Sequence, residues 1–527
     1  MRPGMWSPPV EPSAAEQRVI KAVRRAKLFV FLRQHRHELF TPEFQAELAG
    51  AYVDSSKGQP PVLPAQLALA VILQAYTGVS DDEVIEALVL DRRWQLVLDC
   101  LDAESAPFAK GTLVGFRARL IKTNLDRRLV ERTIEVATVT KGFGPRALRA
   151  ALDSSPLWGA GRVEDTDNLL GHALRKALGV IARQQGRGLT QPVAVAALAE
   201  QAGAPVLGGS SLKAALDLDW DDPTARDQAL VQVLAALDAV ESFVTTQPEP
   251  EAAQACLAVA HQVREQDIQP ATEDTPAHLR RGVAKDRRIS VEDPQMRHGR
   301  KSSSSLIDGY KRHICRDLDS GLVPAVGITP ANAPEASVTE AISADLAAQH
   351  ARLVELHIDR AYLASTLIRD RSEDLTIYCK AWRVRHVAGR FAKTDFQLDF
   401  DRGELTCPHQ ITMPFQPGKT VRFPTQVCAS CPLRAQCTTS TTGRSISIHP
   451  DEQLLVELRQ RQQSPEGRAT LRQRTAVEHG LAHIGHWQGR RARYHGTRKN
   501  LFDLRRCAVV HNLHVIARHQ ILDQHAA

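Results

Sequence analysis

The sequence has 527 residues, of which 43% are hydrophobic and 24% are charged. It therefore predicts about two to four globular domains rather than a disordered chain. Its 67 Lys and Arg against 60 Asp and Glu give a net charge of +7, which suits a polyanionic partner without requiring one. We find no secretory signal, and the longest apolar run, 67–73, is far below the ~20 residues that span a bilayer. With nine cysteines, we expect cytosolic thiols and no membrane partner.

The N-terminal part of the chain has helical patterning. Residues 1–17 are proline-rich and are predicted to be disordered. Residues 18–37 carry seven Lys and Arg and no acid, with apolar residues at helical spacing. This pattern fits either a solvated basic face or a contact with DNA phosphates. We assign 18–140 to a helical DNA-binding domain.

Within that segment, helix signals follow one another closely. A buried helix is predicted from Leu63 to Tyr76, and Gly78 ends it. Ser80 and Glu83 form a capping box that opens the next helix. With a further helix that carries Arg117, this predicts either a helix-turn-helix-like DNA-binding unit or a purely structural bundle.

The remaining chain predicts a split α/β core. Alternation over Arg146–Asp153 predicts a strand. The Ala- and Leu-rich stretch at about 165–266 and the polar residues that follow it predict a helical insertion and linker over 165–290. Downstream we expect strand, strand, helix, strand, helix, strand and two helices, at 306–316, 322–329, 338–350, 353–359, 362–370, 375–379, 466–485 and 501–519. This order predicts a mixed sheet flanked by helices.

Two of the predicted strands end at an acid, Asp153 in the first and Asp359 in a later one. Because chemistry gathers at the carboxyl ends of strands in open α/β sheets, we expect these side chains to lie close together. Both ionise at pH 7 only if a cation offsets their repulsion, and Mg²⁺ binds carboxylates together with substrate phosphate. The alternative for each is a helix N-cap or turn residue.

The third candidate acid is Glu478, which lies one helical turn after Arg474. One interpretation is a surface ion pair of little energetic value. The other is a metal-ligating glutamate beside an arginine that holds a phosphate. Nine Lys and Arg against two acids in 472–506, interleaved with His, Trp and Tyr, favour the second interpretation. Charge binds phosphates, and aromatic rings stack on bases.

In their order along the chain, these pieces resemble the DDE-type insertion-sequence transposases, whose catalytic core is RNase H-like. The resemblance covers roughly 18–125, 146–170 and 290–515. It depends on Pro64–Leu67, Gly78–Asp81, Asp153–Pro156, Gly159–Gly161, Glu164–Thr166, Arg297–Lys301, Asp308–Lys311, Thr329–Ala333, His357–Tyr362, and Arg474 with Glu478.

The resemblance implies that Asp153, Asp359 and Glu478 form an acidic triad that holds two Mg²⁺ ions. It places an RNase H-like core, with a mixed sheet flanked by helices, at 141–164, 291–385 and 465–520. The candidate DNA-binding residues are Arg474, Lys311, Arg490, Arg491 and Arg493.

The sequence departs from the family pattern at two positions. Many relatives carry a Tyr three residues before the Arg and a Lys seven residues after the Glu, where this chain has Leu471 and Gly485. We expect Arg490, Arg491 or Arg493 to supply the missing cation.

A small Cys-rich insertion is predicted at 386–464. Four cysteines there have the spacing C-x20-C-x2-C-x5-C, at Cys407, Cys428, Cys431 and Cys437. Four thiolates suit a structural, zinc-ribbon-like Zn²⁺ site, and His409 is a candidate replacement for one ligand. Free thiols and an iron–sulfur cluster are the alternatives.

The function implied by the resemblance is that of a bacterial, cytoplasmic, nucleoid-associated DDE transposase. As a polynucleotidyl transferase and endonuclease, it would cut DNA at the inverted-repeat ends of its element and join them to target DNA. Because transposases act on paired ends, a homodimer on DNA is expected. The alternatives are a metal-dependent nuclease without strand transfer and a non-catalytic DNA-binding derivative. The intact trio of acids argues against the second alternative.

Overall fold

The structure is a computed structural model that describes residues 2–54, 59–141, 147–186, 191–209, 211–301, 304–382, 384 and 386–526. The side chains of 140, 141, 191 and 520–526 are not described. The strand start predicted at Arg146 lies outside these ranges.

The described residues are mainly helical. The helices are α1 Ala14–Ala22, α2 Lys27–Leu39, α3 Pro42–Gly50, α4 Pro64–Thr77, α5 Asp81–Leu90, α6 Arg92–Leu98, α7 Lys110–Thr123, α8 Leu125–Lys141, α9 Thr166–Gln184, α10 Gln191–Gln201, α11 Leu212–Leu216, α12 Pro223–Thr245, α13 Glu251–Asp267, α14 Thr339–Ala348, α15 Thr366–Arg369, α16 Thr425–Ala429, α17 Arg434–Cys437, α18 Glu452–Gln463, α19 Pro465–Arg472, α20 Thr475–Gln488 and α21 Thr497–Ala526.

Strands occupy the second half of the chain and one segment before the insertion. They are β1 Ala147–Trp158, β2 Ile268–Gln269, β3 His278–Leu279, β4 Arg297–Arg300, β5 Leu306–Asp317, β6 Ala325–Pro330, β7 Arg352–Ile358, β8 Thr376–Cys379, β9 Gln397–Asp399, β10 Glu404–Thr406, β11 Thr412–Pro414, β12 Thr420–Arg422 and β13 Ser445–Ser447.

The N-terminal residues differ from the predicted disorder. Trp6 is buried, and its backbone N–H donates to Gln45 Oε1 at 2.7 Å. Ser13 opens α1 through a capping box with Glu16. A buried indole and satisfied backbone donors offset the entropy cost of ordering this proline-rich segment.

The basic stretch 18–37 divides into two groups. Arg33 and Arg36 are each 1% exposed. Arg33 pairs with Glu16, and Arg36 bonds to the Leu96 and Val97 carbonyls. These two arginines are therefore structural. The basic side chains that stay exposed are Arg18, Lys21, Arg24, Arg25 and Lys27.

The predicted helix boundaries around Gly78 are confirmed. Gly78 ends α4 with φ 77°, and Ser80 opens α5 through the capping box. Arg117 is buried and forms a two-bond ion pair with Asp81, which holds the pKa of Asp81 down at about 2. Arg117 thus joins two helices of the bundle instead of facing solvent.

A mixed sheet forms the centre of the second half, as predicted. Its strand order is β6–β5–β1–β7–β8, and β4 pairs with β5 beside β6. β1 is antiparallel to β5 and parallel to β7, and β7 is parallel to β8. The chain is therefore a mixed α/β protein.

Helices α9–α13 lie within the predicted insertion and bury a hydrophobic core of their own. By length and composition alone, α12 is long and apolar enough to cross a membrane. One of its faces, which includes Leu230, Val233 and Leu237, packs into the core of this helical unit.

The C-terminal helix α21 connects the N-terminal helices to the sheet. One hydrophobic core contains side chains of α4, α8, α20, α21 and the central strands. Arg506 of α21 donates to Gln74 Oε1 at 2.9 Å, and Asn512 bonds to the backbone of Val323. α21 is thereby held between α4 and the segment that precedes β6.

A cluster of histidines packs at this junction, and it predicts acid sensitivity. His483 Nδ1 lies 2.9 Å from His511 Nδ1, and His514 stacks on Trp487. Burial lowers the pKa of His511 and His514 to about 4, with Arg316 and Arg518 adding repulsion. Unfolded histidine titrates near 6.5, so the unfolded chain binds more protons between pH 6.5 and 4.

We expect the free energy of unfolding to be highest above pH 6.5 and to fall as the pH drops towards 4. The limiting slope is about 1.4 kcal/mol per pH unit for each such histidine. Chemical denaturation across this range measures the slope, which should be shallower in His511→Gln and unchanged in the control His495→Gln, whose side chain is exposed. An equal slope in both variants would contradict this assignment.

Candidate active site

Strand register brings the first two predicted acids together. β1 and β7 pair in parallel up to Leu152 opposite Ile358. The residue that follows each member of this pair is an acid, Asp153 after Leu152 and Asp359 after Ile358. The strand predicted over 353–359 is present as β7, which ends at Ile358, one residue before Asp359. The prediction that the first strand ends at Asp153 is wrong, because β1 continues to Trp158 along its other neighbour, β5.

The third acid comes from a helix that begins beside these strands. The single helix predicted over 466–485 is broken into α19 and α20, and Arg474 lies at the start of α20. Its guanidinium donates to Asp153 and also to Glu478 Oε1, the latter at 2.9 Å. The predicted pairing of Arg474 with Glu478 is present, and the same guanidinium also contacts Asp153 on the sheet.

All three acids line one cleft. Asp153, Asp359 and Glu478 border a cavity of about 770 Å³ together with cationic side chains. The cations are Lys301, Arg312, Arg474 and Arg490. The cleft thus combines a cluster of carboxylates with groups able to bind phosphate.

The electrostatics of Asp153 reflect this crowding. Its pKa is raised mainly by burial, and the negative charges of Glu335 and Asp359 add to the shift, while Arg474 opposes it. The Asp153 side chain also accepts the Ser154 N–H at 2.8 Å. A cation placed between these carboxylates would therefore stabilise the ionised form.

Glu335 is an acid of this region that the sequence analysis missed. It accepts from Ser154 Oγ at 2.9 Å, and its Oε1 lies 3.9 Å from Lys311 Nζ. Lys311, a predicted DNA-binding residue, is 12% exposed and donates to the Ala333 carbonyl. The available signal was that Glu335 lies two residues after the family-like segment 329–333.

Arg312 is the second residue that was missed. Its guanidinium donates to Ser155 Oγ at 2.8 Å, to Gln488 Oε1 at 3.1 Å and to the Gly489 carbonyl at 2.9 Å. A Cβ atom on Gly485 would lie 3.2 Å from Arg312 Nη2. The glycine that replaces the lysine of many relatives therefore leaves space for an arginine from β5.

The other predicted DNA-binding arginines have different surroundings. Arg490 borders the cleft. Arg491 donates to the Gly159 carbonyl at 3.1 Å, and Arg493 donates to the Gly78 and Val79 carbonyls. Arg491 and Arg493 thus contact backbone carbonyls rather than the acids of the cleft.

Buried polar groups link β5 and β6 to the residues that follow Asp359. The Tyr362 hydroxyl lies 2.8 Å from His313 Nδ1, and His313 Nε2 lies 2.9 Å from Thr329 Oγ1. Burial lowers the pKa of His313 to about 3, so the ring is neutral at pH 7. His313 therefore joins two family-like segments, 329–333 and 357–362, through one hydrogen-bonded chain.

Gly309, in another of these segments, is required by a close approach of two strands. Its φ is 149°, and a Cβ atom there would clash with the backbone N of Gly159. That N–H donates to the Asp308 carbonyl at 2.7 Å. Glycine at 309 therefore permits the pairing that aligns β1 with β5 beside the cleft.

The four clustered cysteines also meet in space. Cys407, Cys428, Cys431 and Cys437 are half-buried free thiols that line one small cavity with His409. The cavity adjoins a small hydrophobic core built on β9–β13. Burial raises the pKa of Cys437, and the other three thiols add to the shift.

Among the residues that the structure describes, no group of three or more His, Cys, Asp and Glu side chains has an arrangement that could hold a metal ion. In the cleft, Arg474 occupies the position between two of the acids. A guanidinium that bridges carboxylates supplies the positive charge that a divalent ion would otherwise supply. Carboxylate oxygens are the ligands that hard cations such as Mg²⁺ prefer, so the side chains of these acids fit such an ion.

Comparison with known proteins identifies two segments. Residues 406–517 match a family described as "Transposase DDE domain", and residues 23–119 match one described as "Transposase domain (DUF772)". No curated protein and no solved structure matches the chain. The first segment contains Arg474 and Glu478 and all four clustered cysteines.

Proposed function

We propose that this chain, whose two matched segments are both transposase domains, is an insertion-sequence DDE transposase that cuts DNA at the inverted-repeat ends of its element and joins them to target DNA. The observation that carries this proposal is the convergence of Asp153, Asp359 and Glu478 on one cation-lined cleft.

The sheet topology supports an RNase H-like core. Three antiparallel strands, β6–β5–β1, continue into two parallel strands, β7 and β8. The first acid lies on the central strand, and the second follows its parallel neighbour. This arrangement fits the core implied by the family resemblance.

Asp153, Asp359 and Glu478 would hold the two Mg²⁺ ions. Such ions activate a water or a 3′-hydroxyl and stabilise the leaving oxygen of an in-line displacement at phosphorus. Before DNA binds, Arg474 neutralises and orients two of the carboxylates. Arg474 and Arg312 then donate to the oxygens of the scissile phosphate, and Arg490 binds the backbone at the rim.

The test uses the full-length protein and a labelled duplex whose sequence is the DNA that flanks the coding region. We expect strand cleavage with Mg²⁺, no cleavage with EDTA, and joined product when a 3′-hydroxyl end and a target plasmid are supplied. Cleavage without joining would favour the nuclease alternative. Binding without cleavage would favour the non-catalytic derivative, and an absence of both would overturn the proposal.

We also propose that Cys407, Cys428, Cys431 and Cys437 hold a structural Zn²⁺, supported by their shared cavity and mutual electrostatic influence. A metal would deprotonate the thiols and draw them together. Metal analysis of the purified protein should find about one zinc per chain, which Cys428→Ser loses and Cys256→Ser, outside the cluster, retains. A metal-free wild-type protein with intact thiols would favour the free-thiol alternative.

DNA is the partner of this family, and a homodimer that holds two ends is expected during the reaction. Action on chromosomal DNA implies a cytoplasmic, nucleoid-associated location. Light scattering of the complex with end DNA, compared with the protein alone, tests the oligomeric state.

A further inference from the structure

A second cavity lies on the other side of Asp359 and Arg474. It has a volume of about 530 Å³ and shares these two side chains with the active-site cleft. Its cations are Arg360, Lys380, Arg468, Arg472 and Arg474. Asp359 is the only acid that lines it among the residues the structure describes. We call it the basic cavity.

Strand ends and one helix face build the basic cavity. Arg360 and Lys380 follow the parallel neighbours β7 and β8, whose last pair is Ile358 with Cys379. Arg468 and Arg472 are one helical turn apart on α19 and so share a face. Both side chains line the basic cavity, and α19 ends before the helix that carries Glu478 begins.

The charges of the basic cavity are largely uncompensated. Arg360, Lys380 and Arg472 are exposed, and within the described parts of the chain none of them forms an ion pair. Arg468 donates to the Gln463 carbonyl at the end of α18, which leaves its charge without an acid partner. Elsewhere in the molecule arginines commonly pair, as Arg352 does with Asp374. Converging cations without acids create a field that attracts a polyanion.

Continuity with the cleft indicates which polyanion fits. Asp359 and Arg474 line both the cleft and the basic cavity, so a phosphodiester bound among the acids would lie at the border of the basic cavity. The next phosphates of the same strand would therefore enter it. Trp382 is 47% exposed beside this strand end, with the Arg360 guanidinium 5.9 Å from its ring centre, which suits an unstacked base.

We propose that the basic cavity binds the backbone of the DNA strand next to the scissile phosphate, through Arg360, Lys380 and Arg472. This inference rests on the proposed function and adds to it the path of the strand. It assigns phosphate contacts to three residues outside the predicted DNA-binding set.

The experiment compares Arg360→Gln, Lys380→Gln and Arg472→Gln with the control Arg352→Gln. Arg352 is an exposed arginine at the opposite end of the same strand, β7. Binding of a fluorescein-labelled duplex with the element's end is measured over a range of salt concentrations. Each cavity variant should lower the slope of log K against log salt by about 0.7–0.9, and the control should not change it.

A second measurement locates the contact. Duplexes with one uncharged methylphosphonate linkage, placed at successive positions around the scissile phosphate, are cleaved by wild type and variants. At one or two adjacent positions the linkage should slow the wild type but have no further effect on Arg472→Gln. Equal sensitivity at every position, or unchanged salt slopes in all three variants, would overturn the proposal. The proposal would also be overturned if a mononucleotide displaced the labelled duplex as effectively as unlabelled end DNA does.

The result also separates this inference from the proposed function. If wild type does not cleave end DNA, the proposed function itself fails. If wild type cleaves and the three variants behave like Arg352→Gln, only the strand path is wrong. Thermal unfolding of each variant checks that its fold is retained.

Discussion

Replacement of any one member of the acid trio, as Asp153→Asn, Asp359→Asn or Glu478→Gln, is expected to lower the rate of DNA cleavage by at least about 1000-fold. In the proposed function each carboxylate helps to hold a divalent cation, and the amide lacks the charge to do so. Affinity for end DNA should change by less than about 3-fold, since the removed charge is negative and phosphate binding depends on cations. Single-turnover cleavage and equilibrium binding measure the two effects.

Non-additivity provides the stricter check. Residues that act as one unit lose nearly all activity with the first substitution, so Asp153→Asn combined with Glu478→Gln should be no slower than either single variant. Asp319→Asn serves as the control, because Asp319 is exposed and pairs with Arg149 outside the cleft. Mg²⁺-dependent cleavage that survives Asp153→Asn would show that the active site lies elsewhere.

The second large effect is expected at Arg312. Arg312→Gln should lower the single-turnover cleavage rate by about 100-fold, because a buried guanidinium beside the acids stabilises charge that develops on the phosphate. Affinity for end DNA should change little, because we expect this guanidinium to act mainly on charge that develops in the transition state rather than on the bound duplex. Burial lowers the pKa of Arg312, but an arginine remains charged at neutral pH.

A compensating substitution distinguishes this role from a structural one. Gly485 lies beside Arg312, on the same helix as Glu478. Adding Gly485→Lys to Arg312→Gln restores a cation where many relatives have one, and we expect it to recover at least about 10-fold of the lost rate. If Arg312→Gln only lowers the unfolding temperature and cleaves normally, Arg312 is a packing residue.

Local signals in the sequence sufficed for several features. The capping box at Ser80, the end of α4 at Gly78 and the alternating strands β5–β8 depend on neighbouring residues, so patterns along the chain predict them. The position of Asp359 after a strand followed in the same way. The order of motifs then pointed to a transposase before any fold was known, and the family matches agree with it.

Other features depend on partners far away in the chain. Nothing within 146–158 indicates that β1 continues beyond Asp153. The strand continues because its later residues pair with β5, some 150 residues further along the chain. Arg474, at the break between α19 and α20, forms an ion pair with Asp153, which lies 321 residues away in the chain. Arg33 and Arg36 had the pattern of a basic surface, and only Glu16, Asp99 and nearby carbonyls made them structural.

The sequence by itself determined the helix caps around Gly78 and most strands of the central sheet, because local backbone preferences and side-chain periodicity fix them. Only the tertiary structure decided which other charged side chains lie beside the three acids. Arg312 reaches Gly485, and Glu335 reaches Ser154, through the pairing of distant strands. Electrostatic interactions act through space, so the charge balance of the cleft is a property of the folded chain.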